Sequence, residues 1–356
     1  MKKIVFFGGD LNRSGGTERV SSLIANGLSR RGFDVLMVSF QCGDKPFFEL
    51  DYSIRVKSLF PNAGRNLLRT YQLIARLRRL LIEERADVLI GVESMLALFT
   101  VPATIGLSVR NICWEHFHFK IDLGRRGRRF ARYLAAWFCD DVVTLTDKDK
   151  SYWQQGSQLK AAICAIPNPL PFSVRDSHIP PASNRIVLAV GRLTPQKGFD
   201  LLLSTWQKVL SEEPSWRLRI VGSGEDEQKL KQLCGELGIS ESVGFYPATA
   251  DIETHYRVAA IYCLCSRFEG FPMVVLEGIA FGIPFVSFDC DTGPAEILLG
   301  TGAQLVPNGD IDALANAVIR LIRDPQERDA ISKAEKIRAE AFHPNKVVDK
   351  WVELLS

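Results

Sequence analysis

Hydrophobic residues in the first half of the chain fall into short apolar runs separated by segments with helical spacing. Four runs have the length of strands, Lys3–Phe7, Asp34–Phe40, Ala86–Gly91 and Asp141–Leu145, and Thr17–Arg30 repeats its apolar residues with the period of a helix. Apolar strands that alternate with helices are typical of parallel sheets covered by helices. The pattern therefore predicts an α/β domain.

The second half repeats this alternation after a proline-rich break. Residues 166–184 contain five prolines and no periodicity, which favours a linker. The strands and helices predicted after it are Arg185–Gly191, Phe199–Ser211, Trp216–Val221, Glu225–Leu237, Ser242–Tyr246, Asp251–Ala259, Ile261–Cys265, Pro284–Phe288 and Pro344–Leu355.

This order of elements predicts two doubly wound, Rossmann-like domains that face one another across an interdomain cleft. We expect an N-terminal domain over residues 1–167, a linker over 168–184 and a C-terminal domain over 185–340. A last helix over 341–356 is expected to pack back on the N-terminal domain. Ligands should bind at the carboxyl ends of the strands.

Composition restricts the class of protein. The chain is 46% hydrophobic with a net charge of +3, so its total charge does not indicate a nucleic-acid binder. The first apolar run is too short for a signal peptide, and no stretch approaches the roughly 20 apolar residues of a membrane-spanning helix. The eight cysteines include no Cys-x-x-Cys motif, which favours reduced, buried thiols in a cytoplasmic protein.

A glycine-rich loop, GGDLNRSGGTERV, follows the first predicted strand. Gly15 and Gly16 would let a ligand approach the backbone, and the free amides of the helix behind them suit a phosphate. A glycine-rich tight turn explains the loop equally well. The spacing is not that of G-x-G-x-x-G, which argues against a nicotinamide-dependent enzyme.

Two cations follow the first strand of the second domain, in VGRLTPQKGFD. The guanidinium of Arg192 could bind two phosphate oxygens, and Lys197 could supply a mobile point charge. The alternative is a pair of solvated loop cations. The next strand ends in VGSGED, where Gly222 and Gly224 also permit close approach.

Two acids flank a predicted helix start in SRFEGFPMVVLEGIAFGI. With the helix beginning at residue 272 or 273, the amides of Met273, Val274 and Val275 would be unpaired and available to a phosphate. Glu269 precedes the helix and Glu277 lies one turn inside it, within a mostly apolar run. A carboxylate there needs a partner, and sugar or ribose hydroxyls would serve.

Together these motifs resemble glycosyltransferase family 4. The resemblance rests on GGTER, GRLTPQKG, VGSGED and the segment from Glu269 to Glu277, which occur in the family's order and cover nearly the whole chain. It implies the GT-B architecture and transfer with retention of anomeric configuration. Among family members, the chain looks most like bacterial enzymes that build lipopolysaccharide, O-antigen or lipid-linked oligosaccharides.

The resemblance also implies donor-side roles. Arg192 and Lys197 would neutralise the diphosphate of the donor, and stabilise the negative charge that develops on the leaving phosphate. Glu277 would bind ribose hydroxyls and Glu269 hydroxyls of the donor sugar. The segment that assists through its backbone amides is Phe271, Pro272, Met273, Val274 and Val275.

On the N-terminal side, the resemblance makes Gly15 and Gly16 a lip against the diphosphate and the acceptor. The segment CWEHFHF matches a family loop whose histidine, here His116, approaches the donor sugar. His118 competes for this role, and a packed structural histidine is the alternative for both. Because the family is thought to react on one face of the donor, no separate protein nucleophile is required, although a double displacement through Glu269 stays open.

We expect no metal and no cofactor other than the UDP-sugar that serves as donor substrate. Asp289-Cys290-Asp291 has the form of an Asp-x-Asp metal motif, but it matches a family loop that holds no metal. Thr292, Gly293 and Glu296, which follow it, are expected to line the pocket.

Two basic clusters mark the N-terminal domain. The first lies on a predicted helix over residues 65–81, whose apolar stripe is Leu67, Tyr71, Ile74, Leu77 and Leu81 and whose opposite face carries Arg65, Arg69, Arg76 and Arg79. The second alternates Arg125, Arg126, Arg128, Arg129 and Arg132 with Phe130, Tyr133, Trp137 and Phe138. Basic residues beside aromatic ones suit an anionic membrane surface. A solvated helix face is the alternative.

The sequence therefore predicts a retaining, metal-independent hexosyltransferase peripheral to the inner face of the cell membrane. It would move galactose or an N-acetylhexosamine from a UDP-sugar to a lipid-linked glycan, with no nucleic-acid partner. One alternative is a UDP-sugar 2-epimerase of the same architecture. Another is a non-enzymatic, basic protein that binds a membrane surface or nucleic acid.

Overall fold

A computed structural model describes residues 1–64, 67–172, 184–249 and 251–356, without the side chain of Leu67. Two compact units divide the chain: residues 1–171 with 344–356 form unit 1, and residues 172–343 form unit 2. Of the predicted linker, residues 173–183 lie outside the described residues, as does Arg65 of the first basic cluster.

Unit 1 is an α/β unit built on one parallel sheet. Its strands are β1 (Lys3–Gly8), β2 (Asp34–Ser39), β3 (Arg55–Ser58), β4 (Val88–Val92), β5 (Arg110–Trp114), β6 (Asp141–Thr144) and β7 (Ala162–Ala165), in the order β3-β2-β1-β4-β5-β6-β7. Its helices are α1 (Gly16–Arg30), α2 (Leu67–Glu84), α3 (Ala97–Thr104), α4 (Arg126–Phe138), α5 (Asp147–Gly156) and α13 (Pro344–Leu355).

Unit 2 repeats this architecture. Its strands are β8 (Ile186–Val190), β9 (Arg217–Val221), β10 (Val243–Tyr246), β11 (Ile261–Leu264), β12 (Phe285–Asp289) and β13 (Gln304–Pro307), all parallel, in the order β10-β9-β8-β11-β12-β13. Its helices are α6 (Phe199–Glu212), α7 (Glu227–Glu236), α8 (Glu253–Val258), α9 (Met273–Ala280), α10 (Pro294–Ile297), α11 (Ile311–Arg323) and α12 (Pro325–Ala339).

Helix α13 completes unit 1 although it lies far from the rest of that unit in sequence. The indole of Trp351 is fully buried with its ring centroid 4.8 Å from that of Trp114. A side chain at Gly27 would collide with Val348, so α1 and α13 pack closely. The carbonyl groups at the end of α13 accept from Lys2 Nζ and Arg110 Nη1, cations that suit the negative end of a helix dipole.

The predicted architecture of two parallel-sheet, Rossmann-like domains is confirmed. Strand β5, which the pattern did not predict, begins with the polar residues Arg110 and Asn111. Edge strands such as β3 are half-exposed and lack an apolar run. The predicted stripe of α2 is wrong in one position, because Tyr71 is exposed and Leu73 occupies the core instead.

Candidate functional site

The loop after β8 carries Arg192 and is shaped by two glycines of a neighbouring loop. A side chain at Gly222 would collide with the carbonyl oxygen of Gly191, and one at Gly224 with that of Leu193. Arg192 itself is exposed, and its guanidinium has no ion pair among the described residues. Both glycines are therefore needed so that the loop of Arg192 can pack closely against their own loop. The sequence had suggested a different role for them, close approach of a ligand.

Lys197 and Glu269 meet at the carboxyl ends of β8 and β11. Lys197 Nζ lies 2.6 Å from Glu269 Oε1, and Ser266 Oγ donates to the same oxygen over 2.6 Å. Glu269 is only 5% exposed. Its other oxygen, Oε2, has no hydrogen-bond partner among the residues that the structure describes, so it can accept from a hydroxyl group of a ligand.

The loop that presents Glu269 is held by its neighbours in unit 2. Thr292 Oγ1 donates to the carbonyl oxygen of Glu269 over 2.5 Å. A Cβ atom at Gly293, whose φ is 95°, would lie 2.6 Å from Pro272 Cδ. Arg267 binds both carboxylate oxygens of Asp200 over 2.8 and 2.6 Å. These contacts fix the loop before a ligand arrives.

Helix α9 begins at Met273, as predicted, with Pro272 at its N-cap and no side chain that caps it. The expectation of three unpaired amides is wrong for Val275, whose N–H donates to the carbonyl of Pro272 over 3.0 Å. The amides of Met273 and Val274 have no such partner within the described ranges. The Phe271 ring is buried against Phe342, with ring centroids 5.7 Å apart, so the contribution of this residue to a ligand would come from its backbone.

Glu277 has a protein partner that the sequence analysis missed. Tyr256 Oη, fully buried, donates to Glu277 Oε2 over 2.5 Å, and Glu277 is itself 5% exposed. The tyrosine ring stacks on Phe281, with centroids 5.4 Å apart. No motif marks Tyr256 in the sequence, because a tyrosine on a short helix is ordinarily a core residue. The hydrogen bond from Tyr256 therefore orients the carboxylate of Glu277.

Over the described part of the chain, no group of three or more His, Cys, Asp or Glu side chains could hold a metal ion. Asp289 and Asp291 are exposed and Cys290 is buried between them. All eight cysteines are free thiols.

In unit 1, Gly15 caps α1 and Gly16 is its first residue. Gly15 has φ −78° and ψ 161°, so its backbone does not require glycine. A side chain there would collide instead with the carboxylate of Glu18, which folds over the start of the helix. An anion at this helix end would have to displace that carboxylate.

His116 lies two residues after the end of β5. Its ring lies 4.5 Å from that of Trp114, and its Nε2 atom is buried with no hydrogen-bond partner among the described residues. Burial lowers the pKa of His116 from 6.5 to about 4. The negative charge of Glu115 acts in the opposite direction but is the smaller effect. The imidazole is therefore neutral at pH 7. His118 is only 1% exposed, which makes His116 the better candidate for contact with a ligand.

Two arginines that were predicted to face a membrane are instead buried in unit 1. Arg128 pairs with Glu93 over 2.9 Å, and Arg132 pairs with Glu115 over 2.7 Å. Their spacing of one helical turn on α4 places one at the end of β4 and the other at the end of β5. Both leave the predicted basic surface because each pairs with a carboxylate at a strand end: fully buried Glu115 and half-buried Glu93.

The cluster on α2 is also largely engaged within unit 1. The guanidinium groups of Arg69 and Arg76 lie 4.3 and 4.4 Å from the ring centroid of Phe60. Arg79 pairs with Glu83 over 2.6 Å at the surface. All three described arginines of this cluster therefore have partners within unit 1.

The outer face of α4 keeps its predicted character. Phe130 and Phe138 are each 61% exposed, with Tyr133 and Trp137 beside them at 40% and 42%. Arg125 and Arg126 are exposed at the start of the helix. No helix in the described ranges is long and apolar enough to cross a bilayer.

Two protein-family models match the chain, one in each half. The model of glycosyltransferase family 4 matches residues 14–173, and the model of group 1 glycosyl transferases matches residues 173–338. The two matches meet at the proline-rich break. The first covers the strands of unit 1 except β1, and the second covers all strands of unit 2.

Several relatives match over the full length of this chain, and two of them serve as examples. An uncharacterised glycosyltransferase of Haemophilus influenzae is 36% identical, with all of both chains covered. A Campylobacter jejuni enzyme is 27% identical, with 100% of this chain and 99% of the relative covered. It is named as an α-1,4-N-acetyl-D-galactosaminyltransferase that acts on a glycan linked to diphosphoundecaprenol.

The fold matches solved GT-B enzymes as well. The Anabaena HepE protein, solved in complex with UDP, superposes with a TM-score of 0.83 at 21% identity and covers 100% of this chain and 99% of its own. The predicted GT-B fold and the predicted family are both confirmed. The chain belongs to the family 4 and group 1 glycosyltransferases.

Proposed function

We propose that the protein transfers galactose or an N-acetylhexosamine from a UDP-sugar to a lipid-linked glycan, with retention of anomeric configuration and without a metal. The observation that carries this proposal is the arrangement of Lys197, Glu269 and Glu277 around the start of α9. It puts three groups at the carboxyl ends of the strands of unit 2: a cation, a carboxylate oxygen that has no hydrogen-bond partner among the described residues, and a second carboxylate oriented by Tyr256.

The donor would bind along this edge. The diphosphate takes the charges of Arg192 and Lys197 and the amides of Met273 and Val274. Since Lys197 pairs with Glu269, the diphosphate would share this cation with the carboxylate. Glu269 Oε2 accepts from a hydroxyl of the sugar.

Glu277 would hold the ribose at the other end of the donor. Tyr256 donates to Glu277 Oε2 and so orients the carboxylate, which would accept a hydrogen bond from a ribose hydroxyl. The UDP complex of the Anabaena protein supports uracil as the base.

Transfer breaks the bond between the sugar C1 atom and the β-phosphate oxygen, and the bonding electrons remain on that oxygen. The acceptor hydroxyl forms its new bond to C1 on the same face and passes its proton to the departing phosphate oxygen. Arg192 and Lys197 stabilise the charge that develops there, an electrostatic effect that needs no metal. Neutral His116 would donate or accept a hydrogen bond at the sugar without adding charge.

A lipid-linked acceptor is supported by the Campylobacter jejuni relative, which acts on such a glycan. Peripheral binding to the inner face of the membrane would use the outer face of α4. Its exposed Phe130, Trp137 and Phe138 suit the interface, with Arg125 and Arg126 for anionic lipid headgroups. Pelleting with phosphatidylglycerol vesicles should fall when these three aromatic residues are replaced by serine, and equal pelleting would reject this surface.

A donor screen tests the enzymatic proposal. UDP-galactose, UDP-GlcNAc and UDP-GalNAc are each incubated with a lipid extract of the source cells, with and without EDTA, and the product is analysed by mass and anomeric configuration. We expect a glycolipid with retained configuration in both conditions. Inversion, or a strict requirement for Mg²⁺, would reject the mechanism.

Matched variants test the site within the same screen. Lys197→Met should lower turnover about a hundredfold, the scale of one lost electrostatic contact to the transition state. Lys208→Met removes an exposed lysine of unit 2 that pairs with Asp312, and should leave turnover unchanged. An epimerised UDP-sugar formed without acceptor would instead support the 2-epimerase.

A further inference from the structure

Glu93 combines a carboxylate with an unusual backbone at the end of β4. Its φ is 106° and its ψ is 136°, whereas the other non-glycine residues with positive φ in the described ranges, Cys42, Arg85 and Leu123, have φ of 52–53°. Those three values lie in the ordinary left-handed region. The conformation of Glu93 lies outside it, in a region that side chains rarely adopt, and such strain concentrates at binding and catalytic sites.

The position of Glu93 in the sheet is where a ligand is expected. Strand order in unit 1 reverses between β1 and β4, because the chain runs from β1 to β2 on one side and continues from β4 to β5 on the other. In open parallel sheets, ligands bind outside the carboxyl ends of strands at such a point. Glu93 directly follows β4, and its N–H donates to the carbonyl of Trp114, beside the loop of His116.

The side chain of Glu93 is half-buried rather than enclosed. Its Oε1 atom is buried and lies 2.9 Å from Arg128 Nη2, while 26% of the side chain is exposed. The guanidinium of Arg128 is held from the other side by the ring of Phe117, 4.3 Å away. One end of the carboxylate is thereby fixed, and the rest can meet a ligand.

Neutralising Arg128 does not by itself explain this geometry. The neighbouring pair of Glu115 and Arg132 joins the same helix to the end of β5, with both side chains fully buried. Glu115 is not among the residues with positive φ. A buried ion pair at a strand end is therefore built here without strain and without exposure, and Glu93 differs from it in both respects.

We propose that Glu93 binds a hydroxyl group of the sugar acceptor, and that Arg128 is the residue that positions its carboxylate. The inference rests on the proposed glycosyl transfer and assigns the acceptor side of that reaction to the ends of β4 and β5. A carboxylate is a strong hydrogen-bond acceptor for a sugar hydroxyl. Because the carboxylate of Glu93 is already held in place, it loses little conformational freedom when a ligand binds.

The Glu93→Gln variant tests the proposal, with the lipid extract as acceptor and the active UDP-sugar as donor. We expect the extract concentration that gives half-maximal transfer to rise at least about tenfold, as for one lost hydrogen bond to a charged group. The Kd for UDP, measured by calorimetry, should stay within about twofold, since the nucleotide site proposed above lies in unit 2. Glu83→Gln removes a surface carboxylate of unit 1 that pairs with Arg79, and should change neither quantity.

A double variant separates binding from stability. Glu93→Gly with Arg128→Met removes the strain and the buried charge together, so its melting temperature should not fall below that of the wild type. It should still be defective in acceptor use. An unchanged acceptor dependence in either variant would overturn the inference, while a wild-type protein that transfers no sugar would overturn it together with the proposed function.

Discussion

Because Gly224 has no side chain, the neighbouring loop that carries Arg192 can pack against it. Replacing it with alanine would drive a methyl group into the carbonyl oxygen of Leu193, whose backbone follows Arg192 directly. We expect Gly224→Ala to lower the stability of unit 2 by about 1–3 kcal/mol, typical of an added methylene in a packed site. The Kd for UDP should rise with it.

Gly235 is the matched control for that change. A Cβ atom there meets nothing within 4 Å, and the residue lies inside α7. Gly235→Ala should therefore leave the stability of unit 2 unchanged or raise it by up to about 1 kcal/mol, because the site has room for a methyl group and glycine is a poor helix former. Thermal unfolding and calorimetry with UDP measure both variants, and equal behaviour of the two would refute the role assigned to Gly224.

His116 gives a dependence on pH whose sign follows from its burial. Its pKa falls from 6.5 to about 4 in the folded protein, so the unfolded chain binds a proton more readily between these values. Stability due to this group is present above pH 6.5 and is lost as the pH falls towards 4. The free energy of unfolding of His116→Gln should therefore decline less steeply over this window than that of the wild type. Parallel declines in urea titrations at pH 7, 6 and 5 would contradict this.

Helix α4 is the element whose two faces have different tasks. On its inner face, Arg128 and Arg132 pair with carboxylates at the ends of two strands. Its outer face exposes aromatic residues. Removing one partner of a fully buried pair leaves an uncompensated charge. We expect Arg132→Met to lower the free energy of unfolding by about 3–5 kcal/mol, because Glu115 would remain buried alone.

Arg129, on the same helix, provides the contrast. It is exposed and pairs with Asp122 at the surface over 2.8 Å, a contact that contributes about 1 kcal/mol or less. Chemical denaturation of Arg129→Met and Arg132→Met should differ accordingly. Equal losses in the free energy of unfolding would mean that burial does not determine how much these ion pairs contribute to stability.

The sequence predicted α4 as one basic, aromatic segment and could not divide it into faces. Arginine is ordinarily exposed, so the burial of Arg128 and Arg132 follows only from the carboxylates that the fold brings to them. The pairing of Tyr256 with Glu277 was hidden for the same reason, since 21 residues separate them. The strand ends and the start of α9 could be predicted because they depend on local sequence pattern. The cations and acids near them could be predicted for the same reason.

At the scale of the molecule, unit 1 is assembled from two distant stretches of chain. Trp351 contributes a fully buried indole from α13, and deleting it would leave a cavity beside Trp114. Trp351→Ala should lower the stability of unit 1 by about 3–5 kcal/mol, the usual range for a buried aromatic residue. Unit 2 should unfold at its usual temperature.

Ile337 offers a control of similar chemistry in unit 2, since it is 76% exposed. Ile337→Ala should be within about 0.5 kcal/mol of the wild type. Scanning calorimetry that follows both units separates the two effects, and a shift of the unit 2 transition in Trp351→Ala would count against the division.

The return of α13 also fixes an order of events during synthesis. All of residues 172–343 must leave the ribosome before α13 can reach Lys2 and Arg110. Unit 2, being continuous, can fold while unit 1 still waits with the surface around Trp114 uncovered. The half of the protein that is made first is thus finished last. A ribosome that stalls at this stage would present a folded unit 2 and an incomplete unit 1, whose uncovered apolar surface chaperones can recognise.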